Sequence, residues 1–229
     1  MARPVTSSRR PNLRDSIKDA AWRQISVSGA SSLSLRSIAR DLCISAPAIY
    51  NYFPDRDALV TALVLDAYLS FGDSQHAAKE RYPGDGEIVK RFMETGIAYR
   101  DWALQYPHRY LLIFGTPVPG YVPPKEEVLP AMMRSMGALA GVIAELHRAG
   151  RLKADGFPLF DPAVCFFPTG TFPGQDELLV YSVAMLVWGR VHGLVSLEVT
   201  GKLPPFGKDG AALYRYELES MLREFVVDS

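Results

Sequence analysis

With 229 residues, 48% of them hydrophobic and 22% charged, the chain carries enough apolar material for the core of one large domain or two small ones. It has no run of about 18 apolar residues to span a membrane, and only two cysteines, Cys43 and Cys165, at no metal-ligand spacing. A membrane protein, a disulfide-stapled secreted module and a zinc domain are thereby disfavoured, no cofactor or metal is expected, and a reducing cytoplasm fits best. Acidic and basic residues balance at 25 each, but unevenly along the chain: residues 1–60 carry nine Lys/Arg against five Asp/Glu, and the remainder is net acidic by the same margin. A basic head on an acidic body points to a polyanionic partner, although solvated charged faces give the same count.

The opening "MARPVTSSRRPNLRDS" is basic without an apolar stretch behind it, so residues 1–11 read as a disordered arm and not as a secretory signal. Apolar positions Leu13, Ile17, Ala20, Ala21 and Ile25 predict a first helix closed by Gly29. Ser34 then stands as N-cap to a second helix through Leu35, Ile38 and Leu42. A third starts with Ser45 as N-cap, tolerates Pro47 in its first turn and stops before Pro54. A longer helix is predicted from about Asp55 toward Tyr82, followed by one over 86–105 and a shorter one from Pro107 to Gly115. The loop "TPVPGYVPP" leads into the clearest pattern of all, Leu129, Met132, Met136, Leu139, Ile143 and Leu146, which predicts the core seam of a bundle helix. Residues 150–175 form a long irregular stretch rich in Pro, Gly and Phe. Helices over about 176–200 and 209–226 close the chain. Strand signals are nearly absent, and the class is all-α.

Three short helices within the first 53 residues, the last two joined by a tight turn, are the layout of a helix-turn-helix. Ala39 is small where those helices must approach, and Ile49 points inward with Ile38 and Leu42. That leaves Ser45, Ala46, Pro47, Ala48, Tyr50, Asn51 and Tyr52 as the outer surface of the third helix. Small residues at its start permit close approach to a major groove. Tyrosine hydroxyls, helix-terminal N–H groups and Arg56 suit phosphate oxygens. Tyr50 and Tyr52 as core aromatics, and Arg56 as a solvated charge, are the plain alternatives.

The segment "LSLRSIARDLCISAPAIYNYFPDRDAL" resembles the signature of the tetracycline-repressor (TetR) family of bacterial regulators, over about residues 12–60. The family's hydroxyl and basic residues opening helix 2 fall on Ser34 and Arg36, and its aromatic run and following basic residue on Tyr50, Tyr52, Phe53 and Arg56. Toward the C-terminus, "VWGRVHGLVSLEVTG" is similar to the Trp/His-Gly signature of one TetR subclass through Trp188, His192 and Gly193, and "YPHRYLLIFGTPVPGY" resembles it too. Cys43 departs from the glycine most often found at the turn, where a Cβ in a left-handed conformation costs about 1 kcal/mol. Few long polar side chains remain to read bases, so discrimination would fall to Asn51, Tyr50, Arg36 and DNA shape.

The resemblance implies a helix-turn-helix over 12–54 and a helical ligand-binding and dimerisation domain over 55–229. The function implied is that of a DNA-binding transcriptional regulator, a repressor relieved by a small molecule and bound as a homodimer to a near-palindromic double-stranded operator. A regulator without an inducer, a helical dimerisation module and an α-helical enzyme are the rivals; the last lacks a nucleophile–base pair or metal cluster in the sequence. Tyr99, Trp102, Tyr106, Phe114, Met132, Met136, Trp188 and His192 are candidates to line a cavity for a hydrophobic or aromatic effector, with plain core packing, or a hydrogen-bonded structural role for His192, as the alternative. Ser182, Gly189, Gly193, Ser196, Leu218, Leu222 and Phe225, on the last two helices, are the expected dimer seam. Close packing within one subunit would explain the small ones equally.

Overall fold

The computed structural model describes residues 12–159, 161, 174–204, 206 and 209–227. The basic arm, Cys165 and half of the Phe-rich stretch lie outside them. Among the described residues there are nine α-helices: α1 (Leu13–Ser28), α2 (Leu35–Asp41), α3 (Ala46–Tyr50), α4 (Arg56–Glu80), α5 (Ile88–Gln105), α6 (Pro107–Phe114), α7 (Lys125–Arg148), α8 (Gln175–Val199) and α9 (Ala211–Phe225). Single 3-10 turns at Ala30–Ser32 and Asp85–Glu87 precede α2 and α5. The described chain divides into two compact units. One runs through Asp66 and takes in 108–124; the other comprises Ala67–Pro107 and the residues from Lys125 onward. The first unit thus includes more than the 12–54 segment, namely the start of α4 and nearly all of α6.

In the first unit, local chemistry sets each boundary. Asn12 caps α1 by accepting from the Arg14 N–H at 3.2 Å, and Gly29 ends it at φ 77°. Ser34 and Ser45 accept from the N–H groups of Ser37 and Ala48 at 3.4 and 3.3 Å, the caps the sequence predicts. Pro47 lies in the first turn of α3. That helix ends at Tyr50, earlier than the predicted stop at Pro54, because both Tyr52 and Phe53 donate to the Ile49 carbonyl and tighten the last turn. Asp55 then caps α4, accepting from Ala58 N–H at 2.7 Å. Ile17, Ile38, Ile49 and Phe53 form the fully buried centre, with the Arg14 guanidinium 5.1 Å from the Phe53 ring centre. Lys18 reaches Asp66 at 2.8 Å, and Arg109 lies over Trp22.

The α2–α3 turn closes by two bonds, Cys43 N–H to Arg40 O at 3.1 Å and Ile44 N–H to Ala39 O at 2.9 Å. This is the Schellman pattern, and Cys43 occupies its left-handed position at φ 54°. Cys43 keeps the left-handed conformation despite its Cβ, and its side chain is exposed. Cys43→Gly is expected to raise the unfolding free energy by up to about 1 kcal/mol, read as a later midpoint in urea. An unchanged or earlier midpoint would mean the turn carries no strain.

In the second unit α5 is the central helix and packs on α7, α8 and α9. A Cβ on Gly96 would stand 2.5 Å from Leu218 Cδ2, and the Gly96 carbonyl accepts from Tyr214 Oη at 2.7 Å, so α9 seats on bare α5 backbone. Leu152 and Val226 form a short antiparallel bridge that ties the chain after α7 to the end of α9. The seam predicted for α7 is rotated in part. Ile143 and Leu146 are fully buried as the seam requires, but in the preceding turns Val128, Ala131, Ser135 and Ala138 are buried whereas Leu129, Met132, Met136 and Leu139 are only half-buried. The cause is close approach: a Cβ on Gly72 of α4 would lie 3.1 Å from Ser135 Cα, a separation that admits small side chains and not methionine. Helices α7 and α8 are long and apolar enough to cross a membrane by length and composition alone, and each buries one face within this unit.

Candidate DNA interface and effector site

The face expected to meet DNA is assembled within the first unit. Ser45, Ala46, Pro47, Tyr50, Asn51 and Tyr52 are exposed and Ala48 is half-buried, while Ile49 and Phe53 are sealed beneath them. Two large aromatics, Tyr50 and Tyr52, stand 41% and 38% exposed at the end of a helix whose other large residues are sealed, a surface without value to the protomer's own core. Arg36 projects from the first turn of α2 into solvent, and Ser34 is half-buried. The capping oxygens of Ser34 and Ser45 accept backbone N–H bonds and retain their own protons for donation to a phosphate.

Arg56 is placed differently from its neighbours. Its Nη2 donates to the carbonyls of Ala30 and Ser31 at 3.2 and 3.4 Å, and its Nη1 lies 3.7 Å from Asp57 Oδ1. The guanidinium is therefore engaged by the chain's own backbone.

In the second unit the expected effector residues form two groups. Phe71 stacks edge-on to Tyr99 and lies against Trp102, each at 5.0 Å between ring centres, and Trp102 leans on Tyr106. The Trp102 Nε1–H donates to Ser70 Oγ at 3.0 Å. Tyr99 Oη meets His192 Nδ1 at 2.9 Å, Ser196 Oγ lies 3.3 Å from His192 Nε2, and Trp188 stacks on the imidazole at 4.6 Å. Both ring nitrogens of His192 are thus engaged, and burial lowers its pKa below the ordinary value, favouring the neutral form. Met132 and Met136 are half-buried on α7. Phe114 belongs to the first unit, where its ring packs on Tyr110. Outside the candidate lining, Gln75 Nε2 and Thr95 Oγ1 are buried without a hydrogen-bond partner among the described residues. Thr95 precedes Tyr99 by one turn of α5, and nothing in the apolar periodicity singles it out. A groove of about 380 Å³ opens beside this cluster, lined by Ser70, Ser74, Glu94, Asp101, Trp102 and Tyr106. No group of three or more His, Cys, Asp or Glu among the described residues is placed to hold a metal ion.

Comparison with known proteins decides the family. Residues 17–63 match the family model described as bacterial regulatory proteins of the tetR family, and residues 92–221 match the tetracyclin repressor-like C-terminal domain. The HTH-type transcriptional regulator Rv1816 of Mycobacterium tuberculosis is 32% identical over 197 residues, spanning 84% of this chain and 83% of that one. This chain belongs to the TetR family. Among solved structures, the crystal structure of the protein SCO4313 is 35% identical, with a TM-score of 0.72 over 92% of this chain and 95% of that one. The SmeT–triclosan complex shares the fold at 15% identity, with a TM-score of 0.63 over 94% and 92%. The protein is a DNA-binding transcriptional regulator of helix-turn-helix type.

The TetR C-terminal match contains the residues expected at the dimer seam apart from Leu222 and Phe225. The structure splits that set. Leu218, Phe225 and Ser182 are buried within the protomer, at 1%, 4% and 7% exposure, and Leu222 and Ser196 are half-buried. Gly189 and Gly193 are exposed on α8, flanked by the exposed Met185, Leu186 and Leu197. The accessible stripe on α8 is therefore Met185, Leu186, Gly189, Gly193 and Leu197.

Ion pairs that periodicity could not reveal hold the second unit together. Arg91 of α5 donates to Glu145 of α7 at 2.7 Å and to the carbonyls of Tyr82 and Gly84 at 2.5 and 2.8 Å. Lys79 meets the same carboxylate at 2.8 Å. Burial opposes ionisation of Glu145, but the bonds and charges of Lys79 and Arg91 prevail and hold its carboxyl below the usual range. Arg100 grips Glu198 through two bonds of 2.7 and 2.5 Å, and Glu198 also accepts the Gly210 N–H that opens α9. Arg190 pairs with both Glu217 and Glu224 of α9.

Proposed function

We propose that this TetR-family regulator is a cytoplasmic homodimeric repressor, released from a near-palindromic operator by a small hydrophobic or aromatic molecule. The observation that carries the DNA reading is the pairing of sealed Ile49 and Phe53 with exposed Tyr50, Asn51 and Tyr52 on α3 and the turn that follows it. In this reading Ser34, Arg36, Ser45, Tyr50 and Tyr52 contact phosphates. Asn51 and the small surface of Ala46, Pro47 and Ala48 face base edges. Two such faces related by a two-fold axis require half-sites about one helical turn apart. The exposed stripe of α8 supports pairing through this helix.

The effector reading is supported by the Phe71–Tyr99–Trp102 cluster, the neutral His192, and the buried unpartnered atoms of Gln75 and Thr95. A bound molecule with one or two polar groups on an apolar body would satisfy what the described residues leave unmet. Relief then needs only a difference in effector affinity between the DNA-competent and incompetent states, typically about 1–3 kcal/mol. α4 runs unbroken from the first unit into the second and is the natural carrier of that difference.

Titration of the protein onto its own promoter DNA tests the reading. Sequence-preferring binding is expected, weakening steeply with salt. Tyr50→Ala with Tyr52→Ala should cost roughly 10- to 100-fold in affinity, at about 1 kcal/mol or more per lost hydrogen bond. Equal affinity for promoter and unrelated duplex at moderate salt would refute it.

A further inference from the structure

We propose that Arg56 acts as a positioning residue: it clamps the two ends of the helix-turn-helix to one another and does not itself hold a DNA phosphate. The proposal rests on the DNA-binding reading of the first unit. Its basis is the bond pattern. One nitrogen, Nη2, spans two successive carbonyls, those of Ala30 and Ser31, within the 3-10 turn that leads into the Ser34 cap of α2. Arg56 itself is the first residue of α4, just beyond α3. The clamp therefore closes a loop that contains the whole of α2, the Cys43 turn and α3.

Those two helices have seven and five residues, far below the length at which a helix holds its own shape in water. Their orientation must come from tertiary contacts. Ile38, Ile49 and Phe53 supply the apolar part from beneath. Arg56 supplies a directional part at the edge, because a planar guanidinium with fixed N–H vectors sets the distance between the two strands of chain it joins. Asp57 lies against its other nitrogen and offsets part of the charge that a phosphate would seek. To reach DNA, the side chain would have to release both carbonyls; Ala30 O keeps the Leu33 N–H at 3.4 Å and the exposed Ser31 O turns to water, so what is lost is the link between the two stretches of chain. A lysine in its place carries the same charge and can donate from its one nitrogen, but its freely rotating ammonium fixes no direction between the two stretches and lacks the second nitrogen that meets Asp57.

The difference between a clamp and a phosphate ligand is readable in salt dependence. A phosphate contact contributes to counterion release, so its loss makes the slope of log affinity against log salt shallower by about 1. Loss of a clamp misaligns the reader and leaves the slope alone. The experiment measures fluorescence anisotropy of wild type, Arg56→Ala and Arg56→Lys on a promoter duplex and on an unrelated duplex across a salt series. All three proteins are held at a temperature at which circular dichroism shows them fully folded. The expected result is a loss of about tenfold in promoter affinity for both variants, with wild-type salt slope and wild-type affinity for the unrelated duplex. A shallower slope for Arg56→Ala with wild-type behaviour for Arg56→Lys would overturn the proposal in favour of a phosphate contact. Promoter affinity unchanged in both folded variants would overturn it too, leaving Arg56 a contributor to stability alone. Failure of the wild type to prefer its promoter is a separate result that removes the DNA reading beneath it.

Discussion

With the proposed pairing through α8, Gly193→Arg is expected to leave a monomer and to lower operator affinity by 100-fold or more. The glycine lies exposed on α8, and a Cβ built on it meets nothing within 4 Å inside the protomer. An arginine there extends outward without disturbing the chain that carries it. Its replacement of glycine in a helix even favours the isolated helix by up to about 1 kcal/mol. The harm falls on the partner. Exposed Met185, Leu186 and Leu197 flank the position and form an apolar stripe with two glycines that let another backbone come close. In a two-fold interface a residue near the axis meets its own copy or its copy's neighbours, so two guanidinium groups are driven into a small apolar space. Pairing of two heads raises affinity over one by about 100- to 10,000-fold when both half-sites can be engaged, and the variant forfeits that gain. Sedimentation velocity should show a single protomer mass. Melting should become lower and independent of protein concentration, because stability drawn from association is gone. A variant that still sediments as a dimer with wild-type operator affinity would move the seam away from this stripe of α8.

How much of this could be seen in the amino-acid order alone depends on how local the cause is. Ser34, Ser45, Gly29 and Pro47 do what they are expected to do because capping and turn chemistry involve residues within a few positions of one another. The exposed surface of α3 follows from the same short range, since only Ile49 and Phe53 are available to bury. The inward face of α7 was legible only toward its C-terminal end, where Ile143 and Leu146 are sealed as expected. Its Leu and Met row is the more hydrophobic, yet the smaller row through Ala131, Ser135 and Ala138 goes inside, because Gly72 brings α4 too close for anything larger. In α9 the row at helical spacing does turn inward, and Leu218 and Phe225, expected at the dimer seam, are buried within the protomer. Which of two apolar faces a helix turns inward is decided by the shape of its neighbours, and spacing does not encode it. Arg56 shows the limit for a charged side chain. Residue type and place beside α3 suggest DNA, and only coordinates reveal that Ala30 and Ser31 engage it.

Arg100→Met should be the most damaging single change among the ion pairs of the second unit, at about 3 kcal/mol or more. Arg100 and Glu198 are 10% and 13% exposed, and their two bonds join α5 to the end of α8. The hydrogen bonds Arg100 donates to Glu198, with help from that carboxylate's charge, hold the guanidinium more firmly protonated against its burial. Glu198 has a second duty, accepting the Gly210 N–H where α9 begins. Removing Arg100 leaves that carboxylate in a poorly hydrated position with one backbone donor, and an uncompensated buried charge costs far more than the pair contributed. For a domain of this size the loss corresponds to a fall in melting temperature of roughly 6–12 °C. The sign of the second substitution distinguishes this account from simple loss of packing. Glu198→Gln in the Arg100→Met background removes the stranded charge and keeps an oxygen for Gly210, so the double variant should recover most of the stability. Packing loss alone would make the double variant no better than the single one. Urea midpoints for the wild type, both singles and the double complete the cycle, and a coupling under about 0.5 kcal/mol would show that the two groups act independently.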